Sequence, residues 1–518
     1  MVDARGLKAW LHDGAEIALL DVREQGEFGE SHLFHAVPLP FSRLELDAPH
    51  LLPRRDVRIV TCDDGASGVA TRAADRLRAL GYTRVHVLEG GTAGWQAAGY
   101  TLFAGVNVPS KAFGEMVEHA LHTPHITALD LAARQARGDK LIVLDGRPID
   151  EYRKMTIPGS ICCPNGELPL RIGALAPDPE TVVVVNCAGR TRSIIGAQML
   201  IDLGIPNPVL ALENGTQGWN LADLTLDRGA DRLYPAPPAA LDDARAKAWR
   251  HAEALDARRC DARELQAWLA DTTRTTFLCD VRTPAEFAGG SLPGARSTPG
   301  GQLLQATDQY VGVRGARLVV FDDDGVRAPM IAAWLRRMGW EAHVLAEGLG
   351  AAVSAGLAAA PAAPPPPHLA AAALAPLMRP GAATVLDLRG SMAFRAGHLA
   401  GARWAIRPRI DASAIPSDRP VVLIAEEAGI AALVADDLRR ADHAEALWHH
   451  GDPSAWRDAG LAVEATPGTP PDADCIDFLF FVHDRHSGNR EASRRYLAWE
   501  LGLVAQLDEA EKAAWRLT

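Results

Sequence analysis

Cys187 is the residue of this chain whose type and surroundings best suit chemistry. It follows the run VVVVN at residues 182–186, whose β-branched apolar side chains are typical of a strand buried on both faces of a parallel sheet. Apolar residues at helical spacing then continue to Gly204, a residue that suits the end of a helix. The thiol is therefore expected at the carboxyl end of a strand and beside a helix N-terminus.

The segment AGRTRS, residues 188–193, joins the predicted strand to the predicted helix and contains Arg190 and Arg192. Backbone N–H groups at a helix N-terminus and the helix dipole both favour negative charge. Nearby guanidinium groups act in the same direction, and these effects together lower the pKa of a thiol. The sequence thus predicts that Cys187 is a reactive thiolate held in an anion-binding loop.

Charge and hydropathy argue against several classes of partner. The chain has 518 residues and a formal net charge of −12, with no long basic run. This balance disfavours nucleic acid or an anionic membrane surface as the main partner. No apolar stretch is long enough to span a membrane, and the charged N-terminal segment does not resemble a signal peptide. We therefore expect a cytoplasmic protein.

The seven cysteines are odd in number and irregularly spaced. Such usage fits a reducing compartment better than a disulfide framework. No spacing of Cys and His is typical of a zinc site, so we expect neither a metal nor a cofactor. The adjacent Cys162 and Cys163 could form a second thiol pair, but their apolar surroundings favour buried packing residues. The HDRH run at residues 483–486 is expected to be a solvated turn.

One phrase, an apolar run followed by Asp-x-Arg, occurs in four copies. A second phrase, of the type NGTxGW, closes each copy, in two of them in degenerate form. Alternating strands and helices between the two phrases predict small α/β domains with parallel sheets flanked by helices. The first phrase reads LLDVREQGEF at residues 19–28, VLDGRPIDEY at 143–152, LCDVRTPAEF at 278–287 and VLDLRGSMAF at 385–394.

The copies define four domains, which we call modules, and a tail. The segment 101–126 joins the first two modules, and the Pro-rich segment 362–367 is expected to be a semi-rigid spacer. The tail is expected to be mostly helical, with a helix over 491–515. Its apolar start, 478–482, is expected to dock on a module or on a second copy of the chain. The predicted boundaries are 1–105 for module 1, 122–230 for module 2, 256–360 for module 3, 368–466 for module 4 and 472–518 for the tail.

Modules 3 and 4 have no cysteine at the position of Cys187. The spacing from Asp145 to Cys187, transferred to Asp280 of module 3, reaches Asp322. In module 4 the equivalent strand ends at Ala425, and neither a thiol nor an arginine follows. We expect both modules to be inactive.

Module 1 is ambiguous. Its strand ends near Cys62, but counting back from the glycine that ends the next helix reaches Asp64. Acidic neighbours would raise the pKa of the Cys62 thiol rather than lower it. We therefore expect module 1 to be inactive as well, and the Asp-x-Arg pairs of the inactive modules to be internal ion pairs.

The combination of DxRxxxEY, a later IPG, CAGRTRS and NGTxGW in module 2 resembles the rhodanese family of sulfurtransferases. The resemblance extends over all four modules and leaves only the tail outside. It implies that Cys187 is a nucleophile that carries a persulfide. It also implies that modules 1 and 2 form a pair similar to that of two-domain members. Asp145 and Arg147, the Asp-x-Arg residues of module 2, are themselves expected to form an internal ion pair that supports the adjacent loop. The residues implied to bind the anionic sulfur donor are Ala188, Gly189, Arg190, Thr191, Arg192 and Ser193.

The resemblance therefore implies a sulfurtransferase that moves sulfane sulfur from thiosulfate, or from a related persulfide donor, to cyanide or a thiol. A cysteine phosphatase is a weaker interpretation, because the arginines do not fit the C-x5-R spacing of such loops. A non-catalytic binding scaffold is a further alternative, since three modules lack the cysteine. The partners are then small molecules, and a homodimer through the tail or the modules stays open.

Overall fold

The computed structural model describes residues 1–354, 364–443, 445–480 and 489–517. Within these residues, four parallel sheets of four or five strands occur, and each falls within one of the modules expected from the sequence. Among the described residues, no helix is both long enough and apolar enough to cross a membrane.

Module 1 contains a four-stranded sheet in the order β2-β1-β3-β4. Its strands are β1 (Ile17–Asp21), β2 (Val37–Pro38), β3 (Arg58–Cys62) and β4 (Val85–Val87). Its helices are α1 (Ala4–Leu11), α2 (Gln25–Glu30), α3 (Leu44–Leu51), α4 (Val69–Ala79) and α5 (Gly91–Ala97).

Module 2 contains a five-stranded parallel sheet in the order β5-β9-β8-β6-β7. Its strands are β5 (His125–Ile126), β6 (Leu141–Asp145), β7 (Ile161–Cys162), β8 (Val182–Asn186) and β9 (Val209–Leu212). The helix α6 (Val108–Leu121) lies in the segment before the module, and the helices of the module are α7 (Ala128–Arg137), α8 (Ile149–Lys154), α9 (Leu168–Leu175), α10 (Thr191–Leu203) and α11 (Gly215–Leu221). The central strand β8 is almost completely buried, as its apolar run predicts.

Module 3 also has a five-stranded parallel sheet, in the order β10-β14-β13-β11-β12. The strands are β10 (Arg258–Cys260), β11 (Thr276–Asp280), β12 (Arg296–Ser297), β13 (Arg317–Phe321) and β14 (Glu341–Leu345). The helices are α12 (Asp242–Ala254), α13 (Ala262–Ala270), α14 (Pro284–Ala288), α15 (Gly300–Gln305) and α16 (Arg327–Arg337).

Module 4 repeats the sheet order of module 1, and the tail adds short helices. The strands of module 4 are β15 (Thr384–Asp387), β16 (His398–Leu399), β17 (Arg403–Trp404), β18 (Val421–Ala425), β19 (Ala446–His450) and β20 (Val463–Glu464). Its main sheet has the order β17-β15-β18-β19, and β16 pairs antiparallel with β20. The helices are α17 (Ser391–Ala396), α18 (Ala428–Arg440) and α19 (Pro453–Asp458) in module 4, and α20 (Arg490–Leu501), α21 (Leu503–Gln506) and α22 (Glu509–Lys512) in the tail.

Each Asp-x-Arg phrase forms a buried ion pair at the end of a strand, which confirms the expected ion pairs. In module 2, Arg147 Nε and Nη2 donate to the two carboxylate oxygens of Asp145 at 2.8 and 2.7 Å. Arg147 Nη2 also donates to the carbonyl of Met155. This arrangement satisfies both buried charges, which would otherwise be costly. The same pairs form in the other modules as Asp21–Arg23, Asp280–Arg282 and Asp387–Arg389.

The chain divides into two compact units, and the grouping of the modules differs from the expected pairing of module 1 with module 2. The first unit comprises Met1–Leu7, Leu19–Ala104 and Ala358–Phe480, and therefore groups module 1 with module 4. The second comprises Lys8–Ala18, Gly105–Leu357 and Phe481–Thr518, and groups module 2 with module 3. Adjacency in the sequence does not decide the grouping, because each unit is held by its own contacts between distant segments.

The tail is shared between the units. Its first part lies in the first unit, where the Gly26 amide of α2 donates to the carbonyl of Ile476 at 2.7 Å. Ile476 precedes the apolar segment 478–482, of which residues 481 and 482 lie outside the described residues. Residues 481–488, which include the HDRH run, lie outside the described residues, as do residues 362 and 363 of the Pro-rich spacer. The expected single helix over 491–515 is divided into α20, α21 and α22.

Candidate functional site

Cys187 directly follows β8 and lines a cavity of about 260 Å³ in the second unit. The residue is only 2% exposed. Residues 188–190 lead from the thiol into α10, which begins at Thr191. The predicted placement at a strand end and beside a helix N-terminus is therefore present, and the loop residues 187–192 all line the same cavity.

The closing phrase NGTQGW fixes the backbone of this loop. The amide of Thr216 donates to the carbonyl of Cys187, and the amide of Gln217 donates to that of Ala188. Gly215 has φ +52°, and a Cβ atom there would lie 2.2 Å from the Cys187 carbonyl oxygen. A glycine is required at this position because it allows the close approach. Ser193 adds a hydrogen bond from its hydroxyl to the Arg190 carbonyl.

The electrostatics of Cys187 differ from the sequence prediction. Burial raises the pKa of the thiol above its ordinary value of 9.0. Arg192 and hydrogen bonds from Ser193 act to lower that pKa, whereas the charge of Glu500 acts to raise it. The expectation of a depressed pKa was wrong because desolvation of the charged form of the buried thiol outweighs the favourable donors.

The two loop arginines are engaged by carboxylates. Arg190 Nε donates to Glu115 Oε1 at 2.8 Å, and its Nη2 pairs with Glu118. Arg192 makes a two-pronged pair with Glu151, at 2.7 and 2.8 Å. The sequence resemblance implied that both arginines bind the donor, but in this arrangement their main partners are protein side chains. They position the loop and partly neutralise its surroundings.

Several wall residues of the cavity were not found by sequence reasoning. The segment 101–126 is not a simple linker, because it contains α6, which brings Lys111 and Glu115 to the loop. The tail helix α20 contributes Tyr496 and Glu500. Module 3 contributes Gln302, Gln305, Ala306 and Gln309.

The ion pair of Asp145 and Arg147 lies beneath the loop rather than among the residues that line the cavity. The Asp145 carboxylate also accepts hydrogen bonds from Asn186 Nδ2 and Thr156 Oγ1, at 2.8 and 2.7 Å. Because Asn186 immediately precedes Cys187, the pair holds the strand end that presents the thiol. Its role is to support the site.

A family model for the rhodanese-like domain matches residues 3–98, 127–222 and 261–355 of the chain. The matched residues are more than half of the sequence. The chain belongs to the rhodanese-like domain family. The fold is that of a rhodanese-like sulfurtransferase, and the phrases that recur in the sequence mark its modules.

Similar proteins include one that matches over nearly the whole chain. The crystal structure of a thiosulfate sulfurtransferase from Pseudomonas aeruginosa is 41% identical, has a TM-score of 0.89, and the match covers 99% of this chain and 98% of that one. An HTH-type transcriptional regulator of Mycobacterium tuberculosis is 33% identical over 20% of this chain and 45% of its own length. An uncharacterized protein of Synechocystis sp. is 33% identical over 18% of this chain and 50% of its own length. The chain thus spans about half the length of these two curated relatives.

Two of the other rhodanese-like modules place a carboxylate where module 2 has its thiol. Asp322 directly follows β13, and its carboxylate accepts hydrogen bonds from the amides of Gly325 and Ala328. This agrees with the position expected from spacing. In module 3 these loop amides therefore bind the protein's own carboxylate.

In module 1 the residue that directly follows β3 is Asp63, one position before the Asp64 that the spacing predicts. The Asp63 carboxylate accepts from the amides of Gly65 and Ala70. Cys62 is the last residue of the strand, and burial raises the pKa of its thiol well above the ordinary value. The amides of Gly65 and Ala70 thus bind the Asp63 carboxylate rather than the Cys62 thiol.

All seven cysteines are buried and free. Burial raises the pKa of Cys162 to about 12 and that of Cys163 well above its ordinary value. Both side chains are fully enclosed. These properties favour the packing role over a redox pair.

Proposed function

We propose that this protein is a sulfurtransferase that transfers sulfane sulfur through a persulfide on Cys187. The observation that carries the proposal is the position of Cys187, at the end of β8 and in the wall of a cavity, beneath the N-terminus of α10. Such a position supplies backbone N–H groups and a helix dipole to an anionic sulfur.

The proposed reaction has two halves. The Cys187 thiolate attacks the outer sulfur of thiosulfate, the S–S bond of the donor breaks, and sulfite leaves with the bonding electron pair. Cyanide or a thiol then attacks the outer sulfur of the persulfide, and the electron pair of that S–S bond returns to Cys187. A covalent intermediate shared by two half-reactions gives ping-pong kinetics.

Thiosulfate is proposed as the donor because the similar protein from Pseudomonas aeruginosa is described as a thiosulfate sulfurtransferase. The two loop arginines add little support for an anionic donor, because both already pair with carboxylates. We propose a small anionic donor, a cyanide or thiol acceptor, and a cytoplasmic location. The seven free cysteines support the last point because a reducing compartment keeps thiols unpaired.

The test is the intact mass of the full-length protein after incubation with thiosulfate. The wild type should gain one sulfur atom, located on the Cys187 peptide, and Cys187→Ser should gain none. The substitution should also lower sulfur transfer by at least about 1,000-fold, as expected for loss of a nucleophile.

Cys62→Ser is the matched control, because Cys62 also lies at the end of a buried strand. In module 1, however, the position equivalent to Cys187 is occupied by the next residue, Asp63. The Cys62→Ser variant should retain both sulfur uptake and transfer. Sulfur uptake by Cys187→Ser would contradict the assignment of the nucleophile. Uptake by the wild type from a glutathione persulfide but not from thiosulfate would contradict the donor alone.

A further inference from the structure

The tail helix α20 places the carboxylate of Glu500 in the wall of the Cys187 cavity. Glu500 is only 2% exposed. Its Oε1 accepts a hydrogen bond from Thr191 Oγ1 at 2.9 Å, at the first residue of α10. Its Oε2 is buried and accepts no hydrogen bond from any residue in the described part of the chain. A buried carboxylate oxygen without a donor is costly unless it has a partner during function.

The loop leaves room for this oxygen. A Cβ atom at Gly189 would lie 2.8 Å from Glu500 Oε2 and 3.3 Å from the ring of Tyr496. Gly189 is the second residue after Cys187, so the absence of a side chain there opens the space between the loop and α20. The unpartnered oxygen therefore lies against the loop that carries the thiol.

The other charged groups around Glu500 come from the loop and from α6. Arg190 interacts with Glu500 electrostatically but donates its hydrogen bonds to Glu115 and Glu118. Burial, together with Glu500 and Glu118, raises the pKa of Glu115 to about 7 despite its pair with Arg190. The ammonium of Lys111 lies over the rings of Tyr496 and Trp499, at 4.5 and 4.6 Å from their centroids.

Cys187 is kept as a thiol at rest, since burial and the Glu500 charge both raise its pKa. Attack on a sulfur donor requires the thiolate. The proton must leave a Cys187 thiol that is only 2% exposed, and a doubly charged donor arriving there increases the proton affinity of any neighbouring carboxylate. A nearby carboxylate oxygen with a free acceptor position can take that proton.

We propose that Glu500 accepts the proton of Cys187 when the persulfide forms and returns it when the persulfide is discharged. The inference rests on the proposed sulfur transfer and gives the tail a part in its chemistry. No family model match includes the tail.

The proton, charge and electron pairs balance in both directions. In the loading step the Cys187 proton moves to Glu500 Oε2, the Cys187 sulfur bonds to the outer sulfur of thiosulfate, and sulfite leaves with the electron pair of the broken S–S bond. The persulfide keeps one negative charge and the carboxylic acid is neutral. In the discharge to cyanide, thiocyanate leaves, and the proton returns from Glu500 to the Cys187 sulfur.

The test compares the wild type with Glu500→Gln, which keeps an oxygen acceptor for Thr191 but removes the base. Stopped loading reactions with thiosulfate near neutral pH, followed by intact mass, measure persulfide formation. The loading rate should fall by about 100-fold, in the range that general acid–base catalysis contributes. A merely electrostatic neighbour predicts the opposite sign, because loss of a negative charge lowers the Cys187 pKa and speeds loading. Loading at the wild-type rate or faster would overturn the proposal.

Alkylation of Cys187 by iodoacetamide as a function of pH gives a second readout. Glu500→Gln should move the alkylation profile to lower pH while loading by thiosulfate becomes slower, and an unchanged profile would overturn the proposal. If Glu500→Gln does not fold, Glu500→Asp, whose shorter carboxylate is withdrawn from the thiol, should still load more slowly than wild type; an equal rate would contradict the inference.

Glu491→Gln is the matched control, because Glu491 lies exposed on the same helix and pairs only with Arg494 among the described residues. It should load at the wild-type rate. A wild-type protein that forms no persulfide with thiosulfate or a persulfide donor would reject the proposed function itself. Normal loading of wild type and of Glu500→Gln would reject only the role of Glu500.

Discussion

The surroundings of Cys187 combine groups that favour a thiolate with an enclosure that disfavours it. The helix N-terminus and Arg192 provide positive potential, whereas desolvation is the dominant effect and raises the thiol pKa. A resting thiol is protected from adventitious oxidants and alkylating agents, which react with thiolates. Reactivity then depends on a donor that brings its own charge and on a group that can accept the proton.

This balance predicts the pH dependence of Cys187 labelling. Because the pKa in the folded protein is raised, the thiolate is scarce near neutral pH and becomes abundant only above the ordinary value of 9.0. Iodoacetamide should therefore label Cys187 more slowly than a free cysteine peptide near neutral pH, and the rate should continue to rise at pH values where the peptide has reached its maximum. The measurement is the mass of the Cys187 peptide after timed labelling.

Cys187→Ser, labelled in parallel, shows how much reagent reaches the six other buried cysteines. A labelling midpoint below that of the free peptide would mean that the loop donors outweigh burial, and the original sequence prediction of a resting thiolate would be restored.

At the scale of the elements, local patterns predicted what lies in sequence next to Cys187. The β-branched run predicted β8, and the helical spacing up to Gly204 predicted α10, because both patterns are set by residues close together in the chain. The walls of the cavity could not be predicted in this way. The contact between Thr191 and Glu500 joins residues 309 positions apart, and nothing local to the tail indicates which module its helix meets.

The helix α6 shows the same limit. The sequence predicts only a linker in this segment, but α6 packs closely on α10. A Cβ atom at Gly114 would lie 2.7 Å from the Thr191 side chain. The functional meaning of Glu115 depends on its ion pair with Arg190. An acidic residue on an amphipathic helix gives no such signal before the partner is known.

The fit between the loop and α20 makes a prediction for Gly189→Ala. The added methyl group would lie 2.8 Å from Glu500 Oε2 and 3.3 Å from the Tyr496 ring, so the Glu500 side chain, the tail helix or the loop must shift. We expect a loss of about 1–3 kcal/mol in the free energy of unfolding, typical of overpacking, together with faster labelling of Cys187 as α20 moves away. Chemical denaturation and timed iodoacetamide labelling measure the two effects.

Gly350→Ala is the control for this substitution, because an added Cβ atom there meets no atom within 4 Å. It should leave both stability and labelling near the wild-type values. If Gly189→Ala were equally neutral, the close contact between the loop and the tail helix would not exist in solution.

At the scale of the whole molecule, the sequence repeat predicted the modules but not their grouping. Modules 2 and 3 are joined by a buried ion pair between Glu167 and Arg327, at 2.7 Å. Modules 1 and 4 are joined in the same manner by Glu45 and Arg407. These pairs depend on which surfaces meet, and no repeat pattern contains that information. The grouping explains why module 3, which has Asp322 in place of the nucleophilic thiol, supplies wall residues to the cavity of module 2.

Modules 3 and 4 both lack a nucleophile at the position of Cys187, but of the two only module 3 contributes described residues that line the cavity. Damage to module 3 should therefore change catalysis, whereas equal damage to module 4 should not. The ion pair of Asp280 with Arg282 in module 3 and that of Asp387 with Arg389 in module 4 have the same geometry and burial. In module 3 the Thr298 amide donates a hydrogen bond to the Asp280 carbonyl. Thr298 lies just before α15, the helix that carries the cavity residues Gln302 and Gln305. Asp280 is thus connected to the wall of the cavity.

Asp280→Asn and Asp387→Asn therefore form a matched comparison. Each should lower the free energy of unfolding by about 3 kcal/mol, because each removes the carboxylate that accepts hydrogen bonds from a buried arginine side chain, and the carboxylate contact that Arg282 keeps, with Asp323, is longer at 3.3 Å. Asp280→Asn should also raise the KM for a thiol acceptor several-fold, because it loosens the segment before α15. Asp387→Asn should keep the wild-type KM, because the described residues that line the cavity belong to the other unit. Denaturant titration and steady-state kinetics with a varied acceptor provide the measurements. Equal KM values in the two variants would show that module 3 does not affect acceptor binding at the Cys187 cavity.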